Sequence, residues 1–260
     1  MPQAGKIKKI ITLNQNTKKF IIAGKNFAST PGQFVSLWIP SFDEKPFSVA
    51  DDTGSEIHLI VCRVGEFTKE LFSLQEGTLV GLRGPFGKAF SILKNKNIVL
   101  LGGGFGTAPL YFLGKALQKK GCKVNFLVGA RNSKNLLLEA EAKKAGFNVF
   151  LATDDGSKGF KGTSVDLLQE ILTQQKIDAI QTCGPEKMMK NVALLAKKKN
   201  IFCELSLERY IKCGFGVCGQ CVCSGERMCL EGPVVSAEWA LKQKEFGLYK
   251  RDAQGEKVYF

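Results

Sequence analysis

The sequence is short of several residue types and patterns, and each shortage narrows what the chain can be. It has one histidine, His58, in 260 residues. A Rieske-type centre needs two histidines on one iron, and His58 is far along the chain from every cysteine cluster, so a Rieske centre and a mixed Cys/His zinc site are both set aside. No apolar run approaches the roughly 20 residues that cross a bilayer; stretches such as NIVLLGGG are far shorter. The opening segment MPQAGKIKKIITLNQ has lysines but no continuous apolar stretch before a small-residue cleavage site. No signal peptide is expected, and the expected location is the cytoplasm. Internal repeats and low-complexity tracts are missing too. Acidic residues are scarce, 24 Asp and Glu against 37 Lys and Arg, for a net charge of +13. A basic balance raises the possibility of nucleic-acid binding. The lysines are spread out as KIKK, TKK, QKK, KKAG and AKKKN, however, and no aromatics interleave with them. A solvated surface or an acidic protein partner is the better account, with no nucleic acid and no membrane.

What the chain does have is cysteine. There are nine, and five lie beyond residue 204. In a reducing compartment, clustered cysteines argue for metal or redox chemistry rather than disulfides. The segment CGFGVCGQC places Cys213, Cys218 and Cys221 as C-x4-C-x2-C. That is the spacing of plant-type [2Fe–2S] ligands, which take a fourth cysteine further on. Gly214, Gly216 and Gly219 let such a loop turn sharply and bring backbone N–H groups to the sulfurs. Cys223 and Cys229 are the candidates for the fourth ligand. Cys229 is favoured, because SGERM reads as a tight hairpin turn through Gly225 that returns the chain from another direction, and Cys223 then reads as a small buried neighbour. Structural zinc sites usually show two C-x2-C pairs, and this chain has one.

The length implies two or three domains. Residues 1–94 read as all-β: KKIITL, KKFIIAG, GQFVSLWI, FSVAD, EIHLIVCRV and TLVGLRG recur between turn residues at the spacing of a barrel or sandwich. A short helix is expected in EFTKELFSL, where Phe67, Leu71 and Leu74 share a face. Over 95–203 the pattern becomes strand–helix alternation, from KNIVLLGGG through PEKMMKNVALLAKKKN, which argues for a doubly wound parallel sheet. Residues 204–260 are expected to form a small third domain around the cysteines.

Three loops of the α/β segment suggest nucleotide binding. GGGFGTAP (102–109) joins a strand to a helix, where glycines allow close approach to a pyrophosphate and the helix N-terminus favours its charge. TCGPEKMM (182–189) has the same placement later in the sheet, with Pro185 suited to a first helical position. ATDDGSKGFKG (152–162) offers Asp154 and Asp155 as ribose contacts or turn residues. In the β half, KPFSVA (45–50) puts a cation beside a rigid proline, and Arg63, the helix N-terminus and Thr68 of CRVGEFT (62–68) suit a phosphate.

Taken together and in this order, the KPFS element, the GGGFGTAP loop, the CGPEKMM loop and SLERYIKCGFGVCGQC followed by CLEGPVV resemble the electron-transfer subunits of type B dihydroorotate dehydrogenases, within the ferredoxin–NADP reductase superfamily. The resemblance covers nearly the whole chain. It implies FAD on the β-barrel, NAD on the α/β domain and a [2Fe–2S] cluster at the C-terminus. By that resemblance Lys45, Pro46, Phe47 and Ser48 hold the flavin and ribityl chain, and Ile60, Val61, Cys62, Arg63, Phe67 and Thr68 line the rest of the FAD site. Gly103, Gly104, Gly106 and Thr107 face NAD and the flavin edge. Cys183, Gly184 and Pro185 lie near the nicotinamide, and Cys213, Cys218, Cys221 and Cys229 bind iron. The chain departs from the family's pattern in three places. Lys45 stands where arginine is usual and loses a bidentate fork. Phe67 stands where glycine is common, and the gap from Cys221 to Cys229 is short. The implied activity is that of an NAD-linked flavin and iron–sulfur oxidoreductase subunit with diaphorase-type activity. The implied partner is an FMN-containing catalytic subunit that oxidises dihydroorotate in pyrimidine synthesis, joined as a heterotetramer. The same module serving an anaerobic sulfite reductase or a cytoplasmic hydrogenase is the alternative, and a basic, zinc-stabilised nucleic-acid-binding protein is the alternative of a different class. Asp154 or Asp155 would favour NAD over NADP by repelling a 2′-phosphate.

Overall fold

The computed structural model describes residues 2–24 and 27–260. Six antiparallel strands close the N-terminal barrel: β1 (Gln3–Asn14), β2 (Thr17–Ala23), β3 (Phe34–Ile39), β4 (Asp43–Asp52), β5 (Glu56–Cys62) and β6 (Leu79–Phe86), in the order β1-β2-β5-β4-β3-β6. Alternation of apolar residues along these strands drives Ile7, Phe20, Ile22, Leu37, Ile57, Leu59 and Leu82 into one core. Helix α1 (Glu66–Ser73) plugs the barrel with Phe67 and Leu71, and Leu74 packs at the same core just past its end.

The second segment is a parallel sheet with helices on both faces. Its elements are β7 (Asn97–Gly103), α2 (Thr107–Gln118), β8 (Lys123–Ala130), α3 (Glu139–Lys144), β9 (Asn148–Thr153), β10 (Phe160–Lys161), α4 (Ser164–Gln174), β11 (Ala179–Cys183), α5 (Glu186–Lys198) and β12 (Phe202–Ser206). The central strands run as near-continuous buried apolar stretches, as a sheet covered on both faces requires. Helix α3 is short, because Leu138 adopts a left-handed φ of 61° and the helix starts only after it. Helix α5 starts at Glu186, with Pro185 as its N-cap.

The last segment contributes β13 (Val222–Cys223), β14 (Glu226–Arg227), β15 (Val234–Ser236), α6 (Ala237–Lys242), β16 (Tyr249–Arg251) and β17 (Lys257–Tyr259). The sheet order is β10-β9-β8-β7-β11-β12-β15, with β15 antiparallel to β12. Strand β12 therefore runs across the 203/204 boundary expected from sequence, and the cysteine-rich segment lends its own strand to the nucleotide-type sheet. Cys221, Cys223, Met228 and Cys229 share one core with Ile180, Met189 and Leu205. At the barrel side, Ala50 and Ile60 pack on Ala108 of α2 and on Leu137 and Leu138, and Lys115 reaches Asp51 at 2.6 Å. No helix among the described residues is long and apolar enough to cross a membrane.

Candidate redox site

The parallel strand order reverses between β7 and β11, so the loops after them diverge around a crevice at the sheet's carboxyl edge. Their backbones nearly touch. A Cβ on Gly106 would sit 2.4 Å from the Cys183 carbonyl oxygen and 2.6 Å from the Gly184 nitrogen. One on Gly184, whose φ is +152°, would sit 2.8 to 2.9 Å from backbone atoms of Gly103. One on Gly103 would strike Pro185 at 2.6 Å. Gly103, Gly106, Gly184 and Pro185 thus form one cradle in which glycine is a steric requirement. Thr107, at the start of α2, is fully buried and its Oγ1 has no partner. Gly104 is open, with φ +55° and nothing where a Cβ would point. The Cys183 thiol is pushed up to about 12 by burial, with Glu208 adding to it and Ser206 opposing, so it stays protonated.

Asp154 and Asp155 follow β9, beside the end of β8: their N–H groups donate to the Ala130 and Arg131 carbonyls at 3.1 and 3.3 Å. Asp155 is exposed, and its carboxyl is held below the usual range by hydrogen bonds from Ser157.

On the barrel, Lys45, Pro46, Phe47 and Ser48 lie on β4 opposite Leu37, Ser36, Val35 and Phe34 of β3. A strand with one face in a core should alternate in exposure. Here Glu44 to Ser48 are all half-buried, so both faces are partly open along this stretch. Lys45 forms an ion pair with Asp43. Val61 points into the barrel core, Ile60 faces α2, and Cys62 ends the strand half-buried. Arg63 lies at the barrel's outer side, 3.4 Å from Asn16 and over the Phe72 ring. Lys45 and Arg63 therefore have different acceptors, Asp43 and Asn16. Phe67 is buried, with its ring 5.9 Å from Phe47 and 6.2 Å from Phe42. The Thr68 hydroxyl is occupied locally: the N–H groups of Val64 and Gly65 donate to it at 2.9 and 3.0 Å, and it donates to the Gly65 carbonyl.

The four cysteines expected to bind iron lie near one another in one loop: Cys218 bears on the Cys213 thiol, and Cys229 feels both Cys221 and Cys213. Burial alone would push the Cys213 thiol up. Backbone amides of Cys218, Phe215 and Val217 aim at its sulfur and, with the Cys218 thiol, bring it down to about 6. Burial and the neighbouring Cys221 push Cys229 up to about 12, against a donated N–H from Gly216 at 3.2 Å. Gly214, Gly216 and Gly219 all have φ between +71° and +85°, which is how the loop turns its amides inward. Cys223 is fully buried and takes a hydrogen bond from Arg209 at 3.4 Å. Ser224 and Gly225, with φ of 49° and 91°, make the two-residue turn that brings Cys229 back toward Cys221. Among the described residues, no three His, Cys, Asp or Glu side chains gather around a single-ion position.

Two features of this region carried no sequence signal. Arg83 on β6 forms a bidentate pair with Glu44 and donates to the Cys213 carbonyl. Arg209 forms a buried bidentate pair with Glu186, the residue after the CGP loop.

Comparison with known proteins agrees with this layout. The family model described as the iron–sulfur cluster binding domain of dihydroorotate dehydrogenase B matches residues 208–239, and that of the oxidoreductase NAD-binding domain matches 100–193. A Methanocaldococcus jannaschii protein, named "probable dihydroorotate dehydrogenase B (NAD(+)), electron transfer subunit", is 41% identical over 261 residues, covering 100% of this chain and 99% of the relative. The chain belongs to this family of electron transfer subunits. A Methanothermobacter thermautotrophicus protein of the same name is 40% identical over 263 residues, covering 99% and 97%. Among solved structures, that of an NADH-dependent reduced ferredoxin–NADP oxidoreductase superposes with a TM-score of 0.83 at 30% identity, covering 90% of this electron transfer subunit and 88% of that chain. A cytochrome P450 reductase from Amycolatopsis, at 21% identity and a TM-score of 0.68 over 77% and 67%, shares the fold. The chain is thus an oxidoreductase of ferredoxin-reductase fold, with an NAD-binding domain and an iron–sulfur binding domain.

Proposed function

We propose that this chain passes electrons between NADH and an FMN-containing dihydroorotate dehydrogenase catalytic subunit in pyrimidine synthesis, by way of FAD and one [2Fe–2S] cluster. The observation that carries the reading is the donor set at residues 213–229: four neighbouring thiols on a glycine-turned loop, with a backbone N–H donated to Cys229, inside the segment matched by the iron–sulfur binding family model. With the C-x4-C-x2-C spacing, this suits a [2Fe–2S] cluster. Together the FAD and the cluster supply the conversion between the two-electron chemistry of a nicotinamide and one-electron transfer.

The residues divide the remaining work. Gly103, Gly106 and Gly184 keep the crevice floor free of side chains so that a nicotinamide can lie against backbone, with Cys183 and Pro185 at its wall. Gly104 and Thr107, at the entry to α2, offer open backbone and an unpartnered hydroxyl. Asp154 and Asp155 suit the two hydroxyls of an adenosine ribose and disfavour a 2′-phosphate, so NAD is the nicotinamide cofactor. The half-open strip from Lys45 to Ser48, and the free N–H groups at the start of α1 after Ile60, Val61, Cys62 and Arg63, suit an elongated flavin dinucleotide. Phe67 acts from beneath, through its contact with Phe47. Residues 1–94, 95–203 and 204–260 correspond to these three tasks, with β12 shared between the last two. The assembly is a cytoplasmic heterotetramer of two such chains and two catalytic subunits.

An anaerobic visible spectrum tests the redox reading. Flavin bands with a broad iron–sulfur shoulder, both bleached by NADH, are expected. A colourless chain holding zinc would overturn it. Co-purification with an FMN protein that oxidises dihydroorotate, at a mass fitting two copies of each, tests the partner. A sirohaem or nickel protein in its place would overturn that assignment.

A further inference from the structure

The barrel and the cysteine loop meet at Arg83. Its Nε and Nη2 donate to the two oxygens of Glu44 at 2.7 and 2.9 Å, and Nη2 also donates to the carbonyl of Cys213 at 3.2 Å. The guanidinium carbon lies 5.6 Å from the Phe86 ring centroid and 5.7 Å from that of Phe215. A Cβ on Gly214 would rest 3.0 to 3.5 Å from the Phe86 ring, so the turn carrying the first iron-binding cysteine is seated on this wall. Both members of the ion pair are mostly out of water, at 21% and 28% side-chain exposure, where charge is less screened than on an open surface. Glu44 is also the neighbour of Lys45, at the head of the strip assigned to the flavin. No other described feature ties β4, β6 and an iron-binding residue together through a single side chain.

We propose that Arg83 and Glu44 are positioning residues that set the reduction potential of the cluster by electrostatics, as a matched pair beside Cys213. This rests on the assignment of a [2Fe–2S] cluster to Cys213, Cys218, Cys221 and Cys229. Reduction adds one negative charge to the cluster. A cation held against the Cys213 backbone favours that added electron, and a nearby carboxylate opposes it. In the intact pair the two effects largely offset each other. Removing the arginine leaves Glu44 uncompensated, and removing the carboxylate's charge leaves Arg83 uncompensated. The two single substitutions therefore move the potential in opposite directions, and the double substitution returns it close to the starting value.

The test is an EPR-monitored redox titration of the whole chain, in wild type, Arg83→Met, Glu44→Gln and the double variant, with iron counted in each. In Arg83→Met the potential is expected to shift negative, lowering the reduced-to-oxidised ratio at fixed potential on the order of tenfold. In Glu44→Gln it is expected to shift positive by a similar factor. Arg83→Lys, which keeps the charge, should stay nearer wild type than Arg83→Met. Shifts of the same sign in both single variants, or no shift in variants that keep two irons per chain, would overturn the electrostatic role. Loss of iron from both, with an unmoved potential in the fraction that keeps it, would overturn it too and make the pair a structural clasp. A wild-type chain without a two-iron EPR signal would instead remove the cluster assignment beneath it.

Discussion

Glu186 and Arg209 meet in a bidentate pair, at 2.5 and 3.1 Å, with side chains only 3% and 2% exposed. Glu186 also accepts the Gly247 N–H at 2.9 Å, so one carboxylate fastens the start of α5, the segment before the cysteine loop and the segment after α6. Breaking a buried pair leaves a charge without a partner, at a typical cost of about 3–5 kcal/mol. Arg209→Met and Glu186→Gln are each expected to lower the denaturant midpoint sharply. Glu186→Leu combined with Arg209→Met should recover part of that loss, because neither charge is then stranded. Urea unfolding followed by fluorescence checks all three.

The crevice between the loops after β7 and β11, proposed above to take the nicotinamide, gives a second prediction. Gly106→Ala would place a methyl within 2.4 Å of the Cys183 carbonyl oxygen, and Gly184→Ala would place one within 2.9 Å of Gly103 while holding alanine at φ +152°. The two loops must separate to accept either residue. The KM for NADH in reducing an artificial electron acceptor should rise at least about tenfold in each, the equivalent of about 1.4 kcal/mol of lost binding. The visible spectrum of the cluster should be unchanged. Gly104→Ala, which points into open space but has φ +55°, should cost less at this site.

Cysteine substitutions separate ligands from neighbours. Cys229→Ser is expected to lose the two-iron absorption and most of the bound iron, because its sulfur sits among Cys221 and Cys213 and takes the Gly216 N–H. Cys223→Ser should retain the iron. Its cost is to stability: a hydroxyl replaces a fully buried thiol that accepts from Arg209. Iron counting on anaerobically purified protein decides between them.

Much of this architecture was legible in the residues. The barrel strands and the central sheet strands announce themselves because alternation in the first and unbroken apolar runs in the second follow directly from which faces are buried. The cysteine turn was legible because its cysteines and glycines are close in sequence, and the SGERM turn because left-handed residues leave a signature. Strand β12 was not: its FCELS alternates a cysteine and a glutamate, and its place beside β11 and β15 is fixed only by tertiary pairing. The hairpin of β16 and β17 is three residues a side and largely polar, too short for periodicity to register. Thr68 read as a phosphate contact, whereas its hydroxyl is spent on the turn before α1, a local bond that competes for the same group. Arg83 with Glu44 and Arg209 with Glu186 are separated by 39 and 23 positions, and nothing in either neighbourhood says which carboxylate each will meet.

His58 links pH to the joint between the barrel and α2. It is buried opposite Asp51 across the β4–β5 ladder, with Nδ1 3.7 Å from Asp51 and Nε2 3.5 Å from Glu56, both too long for good hydrogen bonds. Burial, and then the nearby Lys19, push its pKa below the usual 6.5; Asp51 and Glu56 pull the other way without overcoming them. Lys19 is itself lowered by burial, and Lys115 of α2 holds Asp51 at 2.6 Å, so the carboxylate that would favour a charged imidazole is already engaged. The unfolded chain therefore takes up a proton at His58 at higher pH than the folded one does. Above about pH 6.5 the histidine is neutral in both states and its full contribution is present; as pH falls from there toward its depressed folded value, stability is lost. A titration of the urea midpoint between pH 7.5 and 5, chosen as about one pH unit above and one and a half below the ordinary histidine pKa, should show a downward step. His58→Asn should flatten that step while leaving the carboxylate-driven loss at lower pH in place. A wild-type curve that is level across this range, or a variant with the same step, would show that His58 protonates as readily inside the fold as outside it.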